Sequence, residues 1–485
     1  MRRISVQRTL LATAGLWQAK SIDPAAPPGQ PALTAAAWFL AATSLASVGQ
    51  AGVAEPPPPS ATIIAERVPL SPAQIEAWSE EMKAGHPALK SAGARLRAAE
   101  AATNSVRFWQ DPMFRFGGTI SAPRGFKERE EGNLLYGLEQ KLPVFGKEQS
   151  SREVARAEAG VEGARLGNQW LVLRRDLVRA LMTLGLAERV REIGEQDVAW
   201  LQTMAEVTRE KYRAGRATQV ELLRVENERS RQAERLRTDG RWRDQARVSV
   251  NRLLARDPAG PFPPVALPPL AEAVGAEGGA ALEELALQGE PKLRVLQSEI
   301  QQAQATMEAT RRSRRPDLTL GIEGRQFTGD GGFREGTFVV GLSLPWLNAG
   351  KYRSDLSRDR ARAEAARFDS QDYSLGVREG VRRLLVQIDA ARREALLYDQ
   401  EILPRSRQAL ESAHAAWVSG VGVFNDTMEA RRMVIDGQLM LARAIAEQHQ
   451  MLAELLLLCG LTDSQQLAHL VPPRSIPDTS HSPQP

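Results

Sequence analysis

The sequence predicts a mainly α-helical chain, built as a tandem duplication, whose long coiled-coil helices carry a small β part of four strands. Three observations lead there. Sequence signals recur at a nearly constant offset along the chain. Apolar residues step by three and four through uninterrupted spans of helix-forming residues. Two pairs of short segments, bounded by Pro and Gly, alternate apolar and polar residues with period two.

The repeat comes first. His86-Pro87 is matched by Glu290-Pro291, 204 positions on (290 − 86). Pro112 is matched by Pro316 and Gly146-Lys147 by Gly350-Lys351, both at 204. Tyr212-x-x-Gly215 is matched by Trp417-x-x-Gly420, at 205. The reading divides the chain into a leader at 1–54, an N-terminal segment at 55–80, and a first repeat at 81–258. A Pro/Gly-rich linker at 259–289, a second repeat at 290–461 and a disordered tail at 462–485 follow.

Each repeat shows the same order. A helix opens it (86–109; 291–314), a Pro stops that helix, and a hairpin follows. A very long helix runs over 146–212 and 350–417, a Gly turn reverses the chain, and a last helix closes the repeat (218–256; 425–459). In the first long helix Trp170, Leu173, Leu177, Leu181 and Leu184 form a coiled-coil stripe. Val190, Ile193, Asp197 or Val198, Leu201 and Met204 continue it. Sixty-seven helical residues at about 1.5 Å each span roughly 100 Å. Pro404 predicts a kink in the second long helix.

In the hairpins Phe114 and Phe116, Leu134 and Tyr136, Leu318 and Leu320, and Phe338 and Val340 fall on the apolar side of their strands. The connecting turns, 124–132 and 328–335, are polar and Gly-rich. A half-buried sheet on helices accounts for this alternation. So does a lipid-facing barrel strand, since each run approaches the length that spans a bilayer. Four strands cannot close a barrel, so the second reading requires several copies.

Composition narrows the function. The chain has 63 Lys+Arg against 59 Asp+Glu, and four cations and one anion lie before Glu55, so the remainder is nearly neutral. That excludes a basic nucleic-acid footprint. One cysteine, Cys459, excludes a disulfide framework and cysteine-clustered zinc. Residues 31–54 are uncharged, with an apolar core at 33–48 and small residues before Glu55. They read as a secretory signal, a transmembrane helix being the alternative. Thirty residues ahead of that core are long for a basic leader, which points to a start downstream of Met1. His86, His414, His449, His469 and His481 have no ligand-like spacing. Neither Gly-Lys pair is a phosphate loop, Gly420-Val421-Gly422 is no dinucleotide turn, and hydrolase and metalloprotease motifs are missing. No catalytic residue, metal site or cofactor is expected.

The layout resembles the TolC-type outer-membrane efflux ducts over 81–461. The residues carrying the likeness are His86-Pro87-Ala88, Pro112, and 142–147 (Leu-Pro-Val-Phe-Gly-Lys). To these are added Tyr212-x-x-Gly215 with 220–223 (Val-Glu-Leu-Leu), and 401–404 (Glu-Ile-Leu-Pro) leading to Trp417-x-x-Gly420. Trp417 departs from the usual Tyr. The resemblance implies a homotrimer with twelve strands, four per chain, closing one barrel in outer-membrane lipid. A helical α-barrel would cross the periplasm to a periplasmic adaptor and an inner-membrane pump of the resistance-nodulation-division type. It implies adaptor-contact turns at Tyr212, Gly215, Arg216, Trp417, Gly420 and Val421, and an acidic periplasmic gate at Glu221, Asp426 and Glu429. The exported solute would be a small toxic one, a metal cation or a drug, with the likeness leaning to the heavy-metal-cation branch. A periplasmic coiled-coil adaptor or scaffold is the second reading. Its usual single helical hairpin fits the duplicated layout less well.

Overall fold

The computed structural model describes residues 67–106, 109–120, 132–273, 279–327 and 331–463. The expected leader, the tail from 464, most of the first hairpin turn and residues 328–330 of the second lie outside them. The first repeat runs α1 (Pro72–Gly85), α2 (Pro87–Ser105), β2 (Met113–Ile120), β3 (Gly132–Leu142), α3 (Lys147–Arg213) and α4 (Gln219–Leu253). The second runs α5 (Gly279–Gly289), α6 (Pro291–Arg312), β5 (Leu318–Phe327), β6 (Phe333–Leu342), α7 (Ala349–Leu397), α8 (Leu403–Ser419) and α9 (Phe424–Cys459). Two short strands, β1 (Val68–Pro69) and β4 (Val265–Ala266), pair in parallel ahead of each repeat.

The expected boundaries at 81 and 290 fall one helix too late. The supposed linker, 259–289, contains α5, and the supposed N-terminal segment, 55–80, contains most of α1. These helices are counterparts. Trp78 and Met82 in α1, and Leu282 and Ala286 204 positions on, are all buried in the cores of their repeats. Eleven residues of α5 are too few to show a clear helical period in sequence. The next helix begins alike in both halves. His86 Nδ1 accepts from Ala88 N at 3.2 Å, and Glu290 accepts from Leu293 N, each just before a Pro at the first helical position. Tyr373 donates its hydroxyl to Glu290 at 3.1 Å, and burial raises the Glu290 carboxyl pKa.

The leucine stripe is core. Leu173, Leu177, Leu181 and Leu184 are buried, and Ile193, Asp197, Leu201 and Met204 carry the buried face onward. Trp170 is half-buried beneath the Lys83 ammonium, 5.1 Å from its ring. The helix expected over 350–417 is interrupted by one π turn, Tyr398–Ile402, in which Leu403 N donates to Tyr398 O. Pro404 follows at once and has no N–H to donate. A π turn accommodates one extra residue in a helix. That single insertion is why the repeat offset changes from 204 before it to 205 after it.

The four long strands form one antiparallel sheet in the order β2-β3-β5-β6. The two hairpins share a register: Phe114 faces Leu138 in one, and Leu318 faces Leu342 in the other, 204 positions on. All eight side chains expected to face lipid lie on one face. Phe114, Phe116, Phe338 and Val340 on the edge strands are exposed. Leu134, Tyr136, Leu318 and Leu320 on the central strands are half-buried by neighbours on both sides. A row runs straight across, Phe114–Leu138–Ile322–Phe338, exposed throughout. The opposite face is charged, with Arg115–Glu139 and Arg325–Glu335 ion pairs at 2.8 Å. Among the described residues, each edge strand has one unpaired side, and no helix is long and apolar enough to cross a membrane.

The end of α5 crosses the end of α9 at two glycines. A Cβ on Gly289 would overlap the Cys459 carbonyl, and Gly460, at φ +65°, turns the chain away. Gly289→Ala is expected to destabilise the second repeat by about 1–3 kcal/mol through overpacking. Loss of helical circular dichroism on heating checks this against Gly240→Ala, whose site is open.

Candidate functional site at the helical turns

The two helical hairpins reverse side by side. In the first turn Arg216 N donates to Lys211 O at 2.7 Å, with Gly215 at φ +69°. In the second Val421 N donates to Ala416 O at 3.1 Å, with Gly420 at φ +85°. The pattern is the same closure 205 positions apart, and both glycines occupy the left-handed conformation it requires.

A cross-repeat cluster holds the turns together. Trp417 packs on Phe424, ring centroids 5.4 Å apart, among Leu201, Met204 and Val225. The Lys211 ammonium lies 3.8 Å from the Trp417 ring centroid and donates to Trp417 O at 2.8 Å. Arg224 donates to Asn425 Oδ1 at 2.8 Å. Deeper, Arg431 pairs with Asp197 at 3.0 Å, and its guanidinium lies 5.0 Å from the Trp200 ring centroid. Burial raises the Asp197 carboxyl pKa against the pull of Arg431, and the nearby Glu228 adds to the rise.

The expected contact residues separate into two groups. Tyr212, Gly215, Arg216, Gly420 and Val421 are exposed, Val421 at 87 %. Trp417 is not: at 4 % exposure it is core, so it seats the second turn and presents no surface. Val418 and Val423, both exposed, flank the outer end of that turn.

The expected acidic gate separates in the same way. Asp426 and Glu429 are exposed, three residues apart near the start of α9, and their carboxylates have no partner among the described residues. Glu221 is committed to the start of α4. Its carboxylate accepts from Thr218 N at 3.1 Å while Thr218 Oγ1 accepts from Glu221 N at 3.3 Å. That capping box is written in the sequence as Thr-x-x-Glu. Phe424 was legible as an apolar residue beside a turn. Nothing local in the sequence signals that Lys211, Asp197 or Arg431 reaches across to the other repeat.

The described histidines serve the fold. His86 caps α2, His449 Nε2 lies 2.8 Å from Pro269 O, and the His414 ring is 6.2 Å from that of Trp417.

Residues 78–256 and 282–461 match the profile of the family described as outer membrane efflux protein, and the two matched segments again begin 204 apart. A comparison with curated protein sequences gives no significant match. Among solved structures the chain is similar to the outer-membrane channel OprN (TM-score 0.69, 19% identity, covering 80% of this chain and 90% of that one). It is also similar to the outer membrane protein VceC of Vibrio cholerae (0.68, 16%, 80% and 96%) and the CmeC outer membrane channel of Campylobacter jejuni (0.67, 14%, 82% and 89%).

Trp417→Ala should destabilise the paired turns by about 3–5 kcal/mol, as expected for a buried aromatic, whereas Tyr212→Ala should leave them intact. Faster amide exchange around 204–225 and 413–428 in the first variant alone is the readout. For Asp197, a folded pKa raised above the ordinary 3.8 means the fold binds this proton more tightly than the unfolded chain. Its contribution is therefore most favourable below 3.8 and declines as pH rises through the raised pKa. Thermal unfolding against pH should show that decline in the wild type and lose it in Asp197→Asn.

Proposed function

From the premise that the chain belongs to the outer membrane efflux protein family, we propose that three copies assemble into one continuous duct with twelve strands and a helical barrel. The chain is an outer-membrane efflux channel with a periplasmic helical part. The family consists of channel proteins and not of enzymes or adaptors, which sets aside the adaptor reading. The observation that carries the trimer is the sheet. Its outward row is apolar and exposed, its opposite face is charged, and both edges are open. In lipid an open edge leaves backbone groups unsatisfied, and closure by other copies is the remedy.

The exposed turns are the surface offered to a periplasmic adaptor. Arg213 and Arg216 make the first turn basic, and Val418, Val421 and Val423 make the second apolar. Beyond the adaptor the duct is served by an inner-membrane pump of the resistance-nodulation-division type, which selects small toxic solutes, metal cations or drugs. Gly215 and Gly420 fix the turns, and Trp417 seats the second one from behind. Asp426 and Glu429, repeated in three copies, form acidic rings that attract cations and repel anions at the narrow end. Glu221 contributes to the start of α4 and only indirectly to those rings.

Two measurements test this reading. The detergent-extracted protein should be found in the outer-membrane fraction with the mass of three chains; a single-chain mass there removes the duct. In planar bilayers Asp426→Ala with Glu429→Ala should weaken cation preference and block by divalent cations. Conductance, selectivity and block identical to wild type would falsify the acidic gate.

A further inference from the structure

The duplication allows the contact between copies to be read from the contact within one chain. Inside the chain α3 of the first repeat packs along α6 of the second, and Arg165 Nη2 donates to Glu299 Oε1 at 2.8 Å. The counterpart of α3 is α7, and its equivalent face is bare. Ala164, Asn168, Leu171 and Arg175 in α3 are half-buried, whereas Phe368, Asp372, Leu375 and Glu379, each 204 positions on, are exposed. Phe368 and Leu375 are 60 % and 63 % exposed, an apolar surface that none of the described elements covers. The counterpart of α6 is α2.

The charged pair has a counterpart too, with its polarity reversed. Asp369 occupies the position of Arg165, and Arg95 occupies the position of Glu299. Both are exposed, and neither makes an ion pair or side-chain hydrogen bond among the described residues. A second cross-repeat contact behaves alike. Gln450 donates to Thr183 at 3.2 Å within the chain, and the counterparts, Gln245 and Gln387, are exposed amides able to bond each other.

We propose that α7 of one copy seats on α2 of the next as α3 seats on α6, with Asp369 paired to Arg95 of the next copy. This rests on the trimeric duct proposed above and assigns its contact. The same transfer sets the strand register: Leu138 opposite Ile322 within the chain becomes Leu342 opposite Gly118 of the next copy. The reversal of polarity has a consequence. A first repeat docking on another first repeat would set Arg165 against Arg95. A second repeat docking on another second would set Asp369 against Glu299. Only strict alternation pairs opposite charges at every junction, so the swap selects the closed ring of alternating repeats over homotypic pairing.

The test uses wild type, Arg95→Asp, Asp369→Arg and the double variant, extracted in detergent and followed by mass and by the temperature of trimer dissociation. Each single reversal sets like charges together at three junctions and should lower that temperature by several degrees or yield monomer; the double reversal should restore it. Single reversals that dissociate as the wild type does, or a double variant no better than the singles, overturn the pairing while the trimer stands. A wild type that is itself monomeric overturns the trimeric reading, and the pairing with it. Independently of folding effects, Arg95→Cys/Asp369→Cys treated with a short bifunctional maleimide should give covalent dimers and closed trimers. Cys459 is buried and gives little background. An intact trimer that yields no cross-link also overturns the assignment.

Discussion

The fold depends on an obligation that a single chain cannot meet. A β-strand at the edge of a sheet leaves a row of N–H and C=O groups unpaired, and a hydrocarbon environment offers them no water. The four-stranded sheet has two such edges and an outward face of Phe, Leu, Ile and Val. On that same apolar face one close approach depends on a glycine. At Gly324 a Cβ would come within 2.7 Å of the Tyr136 ring, so the aromatic lies over a residue with no side chain.

Duplication is how the sequence supplies that arrangement. Two halves with the same caps, hairpin register and turn closure can join to each other and to another copy through one kind of contact. Departures from identity then carry the information that tells the junctions apart. The buried pair of Asp197 and Arg431 joins the halves deep in the helices, where an unpaired charge would be expensive. Its neighbours Glu228 and Arg432 stand 3.8 Å apart on a more exposed face. Across the membrane-proximal end Asp317 takes both Lys141 and Lys147, fixing the second hairpin onto the first repeat.

Long-range periodicity made the architecture legible. The leucine stripe, the alternating strands and the 204-residue offset each sum over many residues, so local exceptions do not erase them. The features that escaped reading are short or depend on distant partners. α5 has eleven residues and no Pro or Asp to mark its start, so it passed for linker. The family likeness counts Trp417 among the contact residues because it belongs to the same turn pattern as Tyr212. Sequence cannot show that Lys211, 206 residues earlier, covers its ring. The family likeness assigns Glu221 to a gate, although Thr218 three residues before it marks it as part of a helix start.

The extra residue in the second repeat must be absorbed before the second turn is reached. The π turn at Tyr398–Ile402 lies upstream of the whole of α8. One residue added to a helix rotates everything after it by about 100° at 3.6 residues per turn, unless a wide turn absorbs it. Here the wide turn absorbs it, and Trp417 lies in one buried cluster with Met204 and Phe424. Gly437, facing that stretch from α9, leaves room for Leu403, whose Cδ2 would lie 2.9 Å from a Cβ there. The widened turn and the small residue opposite it seat α8 on α9, and the buried Trp holds the second turn on the first. That leaves outside only what the tip presents, arginines on one turn and valines on the other.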